Sequence, residues 1–311
     1  MEMLTEQRPA AAPAEPSGSP RRSTPIALLA AMRPSEWTKN LLVFAGLLFS
    51  QKLKEGPQVV DAVLTFASFC AISSAGYLFN DLHDAPLDRR HPDKRHRPIA
   101  SGELSTGLAS VSAAVLATVA IAAAAAFGSA EVAALVAGYG VITIAYTLIV
   151  KRLVILDVMA IASLFILRVV AGAVAVEARA SEFLLICTAM LALFLGFTKR
   201  RQEAILEQSE GGDTRPVLEH YSLPFLDQMV AMVTASAILS YVIYAVNSPK
   251  IGSKMLATAP SVLYAIFRYL YLIYDRKDTR STARILTEDP GMIFAAVTWV
   301  ATALLMLYVF D

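Results

Sequence analysis

The sequence predicts an all-α protein that crosses a membrane several times. Hydrophobic residues make up 56% of the 311 positions, whereas soluble domains contain about 45–50%. These residues are concentrated in stretches of the length that a bilayer-spanning helix needs, about 20 residues. Most charged residues lie between the stretches. We therefore predict a polytopic helical bundle.

Nine stretches are long and apolar enough to cross the bilayer. They lie near residues 26–50, 59–82, 106–127, 130–150, 153–176, 182–200, 224–246, 255–274 and 290–310. The first contains the polar sequence RPSEWTKN, which suggests an interfacial helix followed by a short span. Residues 1–23 are rich in Ala, Pro and Ser and predict a disordered tail. Residues 24–311 are therefore expected to form a single membrane domain.

Lys and Arg are distributed unequally between the two ends of the predicted bundle. The N-terminal segment and the loops near 83–105, 151–152, 199–223 and 275–289 carry 20 of them, whereas the opposite loops carry five. Basic loops tend to stay in the cytoplasm. We therefore predict a bacterial-type inner membrane protein whose N-terminus and active-site loops are cytoplasmic and whose C-terminus is on the opposite side.

An acidic motif lies at the cytoplasmic end of the second span. Asp81, Asp84 and Asp88 are spaced i, i+3 and i+7, which places them on one face of a helix, with Asn80 at its edge. Clustered carboxylates near a membrane boundary repel one another and are costly to desolvate. A bound Mg²⁺, which takes carboxylate and phosphate oxygens, removes both costs. The motif predicts a Mg²⁺–diphosphate site with Asp81 and Asp84 as its catalytic residues.

A purely structural explanation of these acids competes with the metal site. They could pair with the basic residues that follow, which are Arg89, Arg90, Lys94, Arg95 and Arg97. Pro86 also favours an end of the helix before Asp88. We favour the metal site for Asp81 and Asp84, because solvation explains an Asn-Asp pair at the end of a buried span poorly. Asp88 is the weakest member of the predicted set.

The motif NDxxDxxxD, followed by HPDKRHRPIASG, resembles the first aspartate motif of the UbiA superfamily of intramembrane prenyltransferases. The resemblance covers residues 30–311, and nine spans agree with the architecture of that superfamily. It implies a helical bundle around a central cavity that opens to the cytoplasmic face and laterally to lipid.

The chain departs from that superfamily at the second aspartate motif. Typical members have DxxxD after the sixth span, where it holds a second Mg²⁺ for a prenyl diphosphate. Here the stretch reads GFTKRRQEAIL, with Lys199, Arg200 and Arg201 in place of the acids and Glu203 as the remaining carboxylate. RPSEWTKN and YSLPFLDQM resemble one branch of the superfamily, the decaprenyl-phosphate phosphoribosyltransferases.

That branch implies a different set of anions in the site. Its donor, phosphoribosyl diphosphate (PRPP), carries a diphosphate and a separate 5-phosphate, and its acceptor is a polyprenyl phosphate lipid. Lys and Arg in place of an acidic metal site supply positive charge for three anionic groups. The implied reaction releases diphosphate and yields a precursor of arabinose donors for cell-wall polysaccharide. The expected partners are these substrates and the membrane, without nucleic acid; assembly into a homo-oligomer is left open.

Further polar residues at the cytoplasmic end are candidates for the site. Those predicted to bind substrate phosphates are Lys39, Lys94, Arg97, Tyr146, Lys151, Lys199, Arg200, Arg201 and Arg268. Those predicted to support them are Asn40, Asp157, Arg168 and Glu203. Lys39 is equally explained as an interfacial anchor beside Trp37. Asp157 could pair with Lys151 or Arg152, or ligate the metal. Arg168, at mid-span, has to be paired or to line water.

Two other functions fit part of the pattern. An aromatic-acceptor prenyltransferase of the same superfamily fits the first motif but not the basic sequence KRRQE. A transporter of anionic lipids fits the number of spans. Transport sites, however, lie near the membrane midplane, whereas the charges of this chain cluster at one end.

Overall fold

The computed structural model describes residues 22–91, 94–210, 217–248, 251–276, 278, 280 and 282–310. Within these ranges the chain consists of helices and turns, without a strand. The α-helices are α1 (Thr24–Met32), α2 (Phe44–Phe49), α3 (Gly56–Asp88), α4 (Thr106–Phe127), α5 (Ala130–Leu148), α6 (Leu156–Ala175), α7 (Glu182–Glu210), α8 (Leu223–Val246), α9 (Ala259–Tyr274), α10 (Thr282–Glu288) and α11 (Pro290–Tyr308). The predicted disordered tail lies outside the described residues, except for its last two.

Eight helical segments in the described ranges are long and apolar enough to cross a membrane. They are α3 to α8, the segment Gly252–Tyr274 that contains α9, and α11. The prediction of a multi-pass all-α protein is thereby confirmed. Nine continuous spanning helices are not confirmed, because the first predicted span, 26–50, is divided among α1, a 3₁₀-helix (Pro34–Val43) and α2.

The 3₁₀-helix and α2 nevertheless carry the chain from one end of the bundle to the other. Arg33, before the 3₁₀-helix, bonds to Asp81 at the C-terminal end of α3. Gln51, after α2, donates to the carbonyl of Leu307 at the end of α11. Ten 3₁₀ residues rise about 2.0 Å each and six α-helical residues about 1.5 Å each. Together they span about 29 Å, close to the thickness of a bilayer core.

Two glycines allow this crossing segment to lie directly on α6. A Cβ atom on Gly172 would lie 1.8 Å from the carbonyl oxygen of Val43, and one on Gly46 would lie 2.6 Å from the backbone of Ala173. Both distances are far below van der Waals contact, so only glycine fits. The backbones therefore touch, as they do at small-residue crossings between membrane helices.

Apolar clusters hold the remaining helices together. Phe194, Phe197, Leu226 and Tyr269 belong to a cluster between α6, α7, α8 and α9. A second cluster joins α3 to α6 through Phe69 and neighbouring residues. On α4 and α11, large apolar side chains such as those of Val115 and Val297 are exposed on the isolated chain. Such outward faces match a lipid environment, in which apolar surface is not penalised.

The bundle has two chemically different ends. We call the end that contains Asp81, Lys151 and Arg200 the motif end. The opposite end contains Gln51 and Lys52, whose side chains donate to backbone carbonyls of α11 and of the turn after α6. Predicted site residues from distant parts of the sequence meet at the motif end.

Candidate active site

The acidic motif occupies the last turns of α3. The helix continues through Pro86 to Asp88, so the expectation that Pro86 ends it is wrong. Pro86 stands close to the end of the helix, where few backbone hydrogen bonds are left to lose. Asp81 and Asp88 are buried. All three acids consequently lie on one face of one helix, as the spacing predicted.

Two arginines converge on Asp81. Its Oδ1 lies 2.6 Å from Nη2 of Arg33 and 3.1 Å from Nη1 of Arg97. The same Nη1 lies 2.8 Å from Oδ2 of Asp88, so Arg97 bridges the two carboxylates. Arg33 has a left-handed backbone, with φ of 54°, and its guanidinium also lies over the ring of Tyr77. Uncommon backbone of this kind concentrates at functional sites.

A second ion pair joins α3 to the turn between α5 and α6. Nζ of Lys151 lies 2.5 Å from Oδ1 of Asp84. On the same side of α3, the hydroxyl of Thr147 donates to Oδ1 of Asn80 at 3.5 Å. Lys94, in the short helix after the motif, interacts electrostatically with Asp88. The carboxylates are therefore surrounded by cations drawn from three parts of the chain: the segment before the 3₁₀-helix, the turn after α3 and the turn between α5 and α6.

The basic stretch of α7 is divided among three environments. Arg200 is buried, and its guanidinium bonds to Asp157 at 2.6 Å, to Glu203 and to the hydroxyl of Tyr146. Arg201 bonds to Asp227 of α8 at 2.5 Å and lies 3.8 Å over the ring of Tyr274. Lys199 is half exposed and lies 3.9 Å from Glu203.

The cation paired with Asp157 differs from the two that the sequence suggested, Lys151 and Arg152. Asp157 bonds to Arg200 and accepts a hydrogen bond from the hydroxyl of Tyr221 at 2.7 Å, and it contacts neither Lys151 nor Arg152. The Tyr221 hydroxyl in turn accepts the N–H of Ile155 at 2.6 Å. Ile155 has φ of 69°, which is a genuine outlier for a β-branched residue. This network therefore holds a strained turn at the start of α6.

The polar segment before α2 approaches the same end. Lys39 forms an ion pair with Glu36, and Glu36 also interacts electrostatically with Lys199 and Arg33. The segment thus brings a carboxylate and two further cations toward α7. Lys39 is partly exposed, which keeps its ammonium group accessible from solution.

The buried arginine Arg168 pairs with neutral groups. Its guanidinium donates to Oδ1 of Asn40 at 2.7 Å, to the hydroxyl of Tyr139 at 2.8 Å and to the carbonyl of Leu164. Arg168 is thus paired, as expected for an arginine at mid-span, and the supporting roles of Arg168 and Asn40 stay predictions. The pair ties the crossing segment to α5 and α6.

Most of the chain matches one known family. Residues 40–297 match the UbiA prenyltransferase family. The chain belongs to this family. The resemblance inferred from the acidic motif is thereby confirmed.

Individual UbiA relatives match over nearly the whole chain. The decaprenyl-phosphate phosphoribosyltransferase of Corynebacterium glutamicum is 28% identical over 302 residues, covering 93% of this chain and 89% of the relative. The protein of the same name from Mycobacterium tuberculosis is 29% identical over 277 residues, covering 88% and 91%. The acidic motif and the basic stretch of α7 both fall within these long alignments.

Solved UbiA structures share the fold. A UbiA homologue from Archaeoglobus fulgidus bound to GPP and Mg²⁺ aligns with a TM-score of 0.71 at 20% identity, covering 90% of this chain and 99% of that chain. The same homologue bound to DMAPP and Mg²⁺ aligns with a TM-score of 0.69 at 20% identity, covering 91% and 99%. This likeness confirms the UbiA fold.

The motif end of this UbiA chain suits Mg²⁺ only if substrate oxygens complete the coordination of the ion. Among the described residues, no three of His, Cys, Asp and Glu come close enough to hold a metal ion by themselves. Mg²⁺ commonly takes one or two carboxylates and completes its shell with phosphate oxygens and water. Asp81 and Asp84, with Asn80 beside them, provide that smaller donor set.

Arg268, a predicted phosphate ligand, is engaged elsewhere. It forms two hydrogen bonds to Asp289 at 2.9 and 3.1 Å. The Arg268 guanidinium, together with backbone N–H groups of α11, holds the pKa of the Asp289 carboxyl below its usual value despite partial burial. Asp289 also caps α11 through the N–H of Met292. This pair therefore fastens α9 to α11.

Three participants were absent from the predicted site: Arg33, Glu36 and Tyr221. Arg33 and Glu36 belong to RPSEWTKN, and Tyr221 begins YSLPFLDQM. Of these two stretches, only Lys39 and Asn40 had been predicted as site residues, and both stretches otherwise served as marks of the branch. The signal that could have identified these residues is that they are polar and lie next to apolar stretches of the sequence. Their partners, Asp81 and Asp157, could not be read from the sequence because they lie 48 and 64 positions away.

Proposed function

We propose that this UbiA protein transfers the 5-phosphoribosyl group of PRPP to a polyprenyl phosphate and releases diphosphate. The observation that carries the proposal is the α7 stretch, where Lys199 faces the motif end in place of a second set of acids. The names of the two long relatives, which share this length of chain, support the same reaction.

The donor diphosphate is assigned to the acidic face of α3. Asp81 and Asp84 would hold Mg²⁺ there, with Asn80 and Asp88 beside them. When bound, Mg²⁺ neutralises charge on the leaving diphosphate. The use of Mg²⁺ is supported by the two archaeal UbiA structures that contain it.

The cations now paired with these carboxylates are assigned to phosphate groups. Arg33, Arg97 and Lys151 each hold an aspartate at 2.5 to 3.1 Å. A phosphate oxygen entering the site offers them an alternative anion at the same place, and arginine binds phosphate in a bidentate manner. Lys39, Lys94 and Lys199 provide further positive charge at the edge of the proposed site.

The transfer itself requires no proton to be removed from the acceptor. The ionised phosphate oxygen of the lipid attacks the anomeric carbon of the ribose, and the bond from that carbon to the diphosphate oxygen breaks. The carbon is thereby inverted, and oxocarbenium character develops as the bond breaks. The role of the protein is to align three anions, for which cations and a rigid frame suffice.

Arg200 and Arg168 are assigned to that frame. The guanidinium of Arg200 is bonded to Asp157, Glu203 and Tyr146. We therefore assign phosphate binding on α7 to Lys199. Arg201 acts as a clamp between α7, α8 and α9 through Asp227 and Tyr274.

The proposed location is a bacterial-type inner membrane with the motif end toward the cytoplasm. The basic loops of that end support this orientation. PRPP is a soluble metabolite and would enter from that side, whereas the lipid acceptor would reach the site laterally. Its product would feed the synthesis of arabinose donors.

Donor discrimination tests the proposal. The purified protein is incubated with Mg²⁺, ribose-labelled PRPP and polyprenyl phosphate, and separately with a prenyl diphosphate and a hydroxybenzoate. We expect label in the lipid phase in the first reaction, abolished by a chelator, and no prenylated aromatic in the second. Prenylation without ribosyl transfer would instead support an aromatic-acceptor prenyltransferase.

A further inference from the structure

A cavity of about 280 Å³ lies at the opposite end of the bundle, away from the acidic motif. Its walls come from α2, α6, α7 and α8, through residues such as Phe49, Ala173, Leu184 and Tyr244. The proposed reaction makes no use of this cavity.

The charged residues that line the cavity are both cationic. Among the described residues, they are Lys52 and Arg179, and the described wall contains no Asp or Glu. Nζ of Lys52 donates one hydrogen bond, to the carbonyl of Val176 at 2.8 Å, and an ammonium group has three N–H donors. Arg179 is exposed, and within the described part of the chain it has neither a hydrogen bond nor an ion pair. The cavity therefore offers several unused donors to an anion.

A tyrosine hydroxyl in the wall adds a further donor. Tyr244 is 3% exposed, and its ring packs against Phe49. Its hydroxyl makes no hydrogen bond to any residue that the structure describes, so it is available as a donor. Since Tyr244 lines the cavity, an anion bound there could accept this hydrogen bond.

The first turn of α7 also faces the cavity. Ser181 accepts a hydrogen bond from the N–H of Leu184 at 3.2 Å, which marks the start of this 29-residue helix. The partial positive charge of a helix N-terminus attracts anions. It adds to the charge of Lys52 and Arg179.

Apart from Ser50 and Ser248, the remaining wall is apolar, and the cavity lies where the spanning helices end. We propose that it binds the phosphate head group of an anionic membrane lipid, with the first part of the acyl chain against Phe49 and Leu184. A neighbouring cleft shares Arg179 but is lined by Glu131 and Glu177, so it does not suit a second anion. This lipid site is independent of the proposed transfer reaction.

Trp299 provides a reporter for the test, because its ring lies 6.2 Å from that of Phe49. The chain has two tryptophans, so Trp37→Phe leaves Trp299 alone. This full-length variant in detergent is titrated with phosphatidic acid brominated on its acyl chains. We expect saturable quenching, and weak quenching by brominated phosphatidylcholine at equal concentration.

Three changes in that background locate the binding. Lys52→Gln and Arg179→Gln should each raise the apparent Kd roughly tenfold, the loss typical of a charge-assisted hydrogen bond, and Tyr244→Phe should raise it a few-fold. Lys254→Gln is the matched control, since Lys254 is a cation of the same end that bonds to Phe310 and does not line the cavity. Arg179 is exposed, so its replacement should not disturb folding.

Other outcomes of the titration would contradict the proposed lipid site. Quenching that does not saturate, or that Lys52→Gln and Arg179→Gln leave unchanged, would overturn the site. Millimolar inorganic phosphate is expected not to displace the lipid. Displacement would overturn the lipid assignment and give the cavity to free phosphate.

Discussion

Asp81 is the residue on which the motif end is centred. It is buried, and two guanidinium groups that are far apart in sequence meet at one of its oxygens. A carboxylate in this position is fully compensated before any substrate arrives. In the proposed reaction Asp81 would be a ligand of the Mg²⁺ that accompanies the donor, and Arg33 and Arg97 would bind phosphate.

Replacing Asp81 with Asn should lower turnover at least about 100-fold, because the loss of a metal ligand removes several kcal/mol of charge stabilisation. The initial rate of label transfer into lipid measures the effect. Asp275→Asn is the control, since Asp275 is an exposed carboxylate outside the site. An Asp81→Asn protein with wild-type turnover would remove the metal role from this residue.

Asp157 matters for stability, because it compensates a buried arginine. Asp157→Asn leaves Arg200 with Glu203 as its remaining carboxylate, and removing one partner of a buried ion pair typically costs about 3–5 kcal/mol. We expect a clear fall in Tm in detergent. Glu219→Gln, at an exposed carboxylate, should change Tm little. Equal Tm values for the two variants would show that the network around Ile155 is held by other contacts.

At the scale of elements, the crossing segment before α3 is the least regular part of the bundle. The apolar pattern predicted a span there, and the chain does cross. The polar sequence RPSEWTKN also predicted an interruption of this span. The pattern could not predict a 3₁₀-helix of ten residues, because this form depends on tertiary contacts with α6 rather than on local preference.

Gly172 tests this element directly. Gly172→Ala places a methyl group against the carbonyl of Val43, so α6 and the crossing segment would have to separate. We expect a lower yield of folded protein and a lower Tm. Gly138→Ala, in α5 with no atom within 4 Å of the new Cβ, should keep or slightly raise Tm, because alanine favours a helix. An unchanged Tm and folded yield for Gly172→Ala would mean that the two backbones can separate without loss of stability.

For the whole molecule, periodicity and composition predicted the fold class, and the spacing of three aspartates predicted the acidic face. None of these sequence features could predict which charged residues pair with one another. Lys199, Arg200 and Arg201 are adjacent in sequence, yet a helix turns by about 100° per residue, so they point to three environments. Asp157 was predicted as a supporting residue, but its partners come from α7 and the turn before α8, which only the folded chain brings together.

The proposed orientation of the whole molecule rests on its basic loops. Cys70 and Cys187 are buried, so single cysteines can be introduced against a low background. Ser101→Cys should react with an impermeant maleimide only when the cytoplasmic face is open, and Lys254→Cys should react in intact spheroplasts. Both positions are exposed. Labelling of both from the same side would contradict the predicted topology.

The most direct measurement uses PRPP that carries ¹⁴C in the ribose and ³²P in the diphosphate. After incubation with polyprenyl phosphate and Mg²⁺, the lipid and aqueous phases are separated and both isotopes are counted. Ribosyl transfer predicts ¹⁴C in the lipid phase and an equal amount of ³²P released as aqueous diphosphate. Both isotopes in the lipid, or both retained in unreacted PRPP, would contradict the proposed reaction.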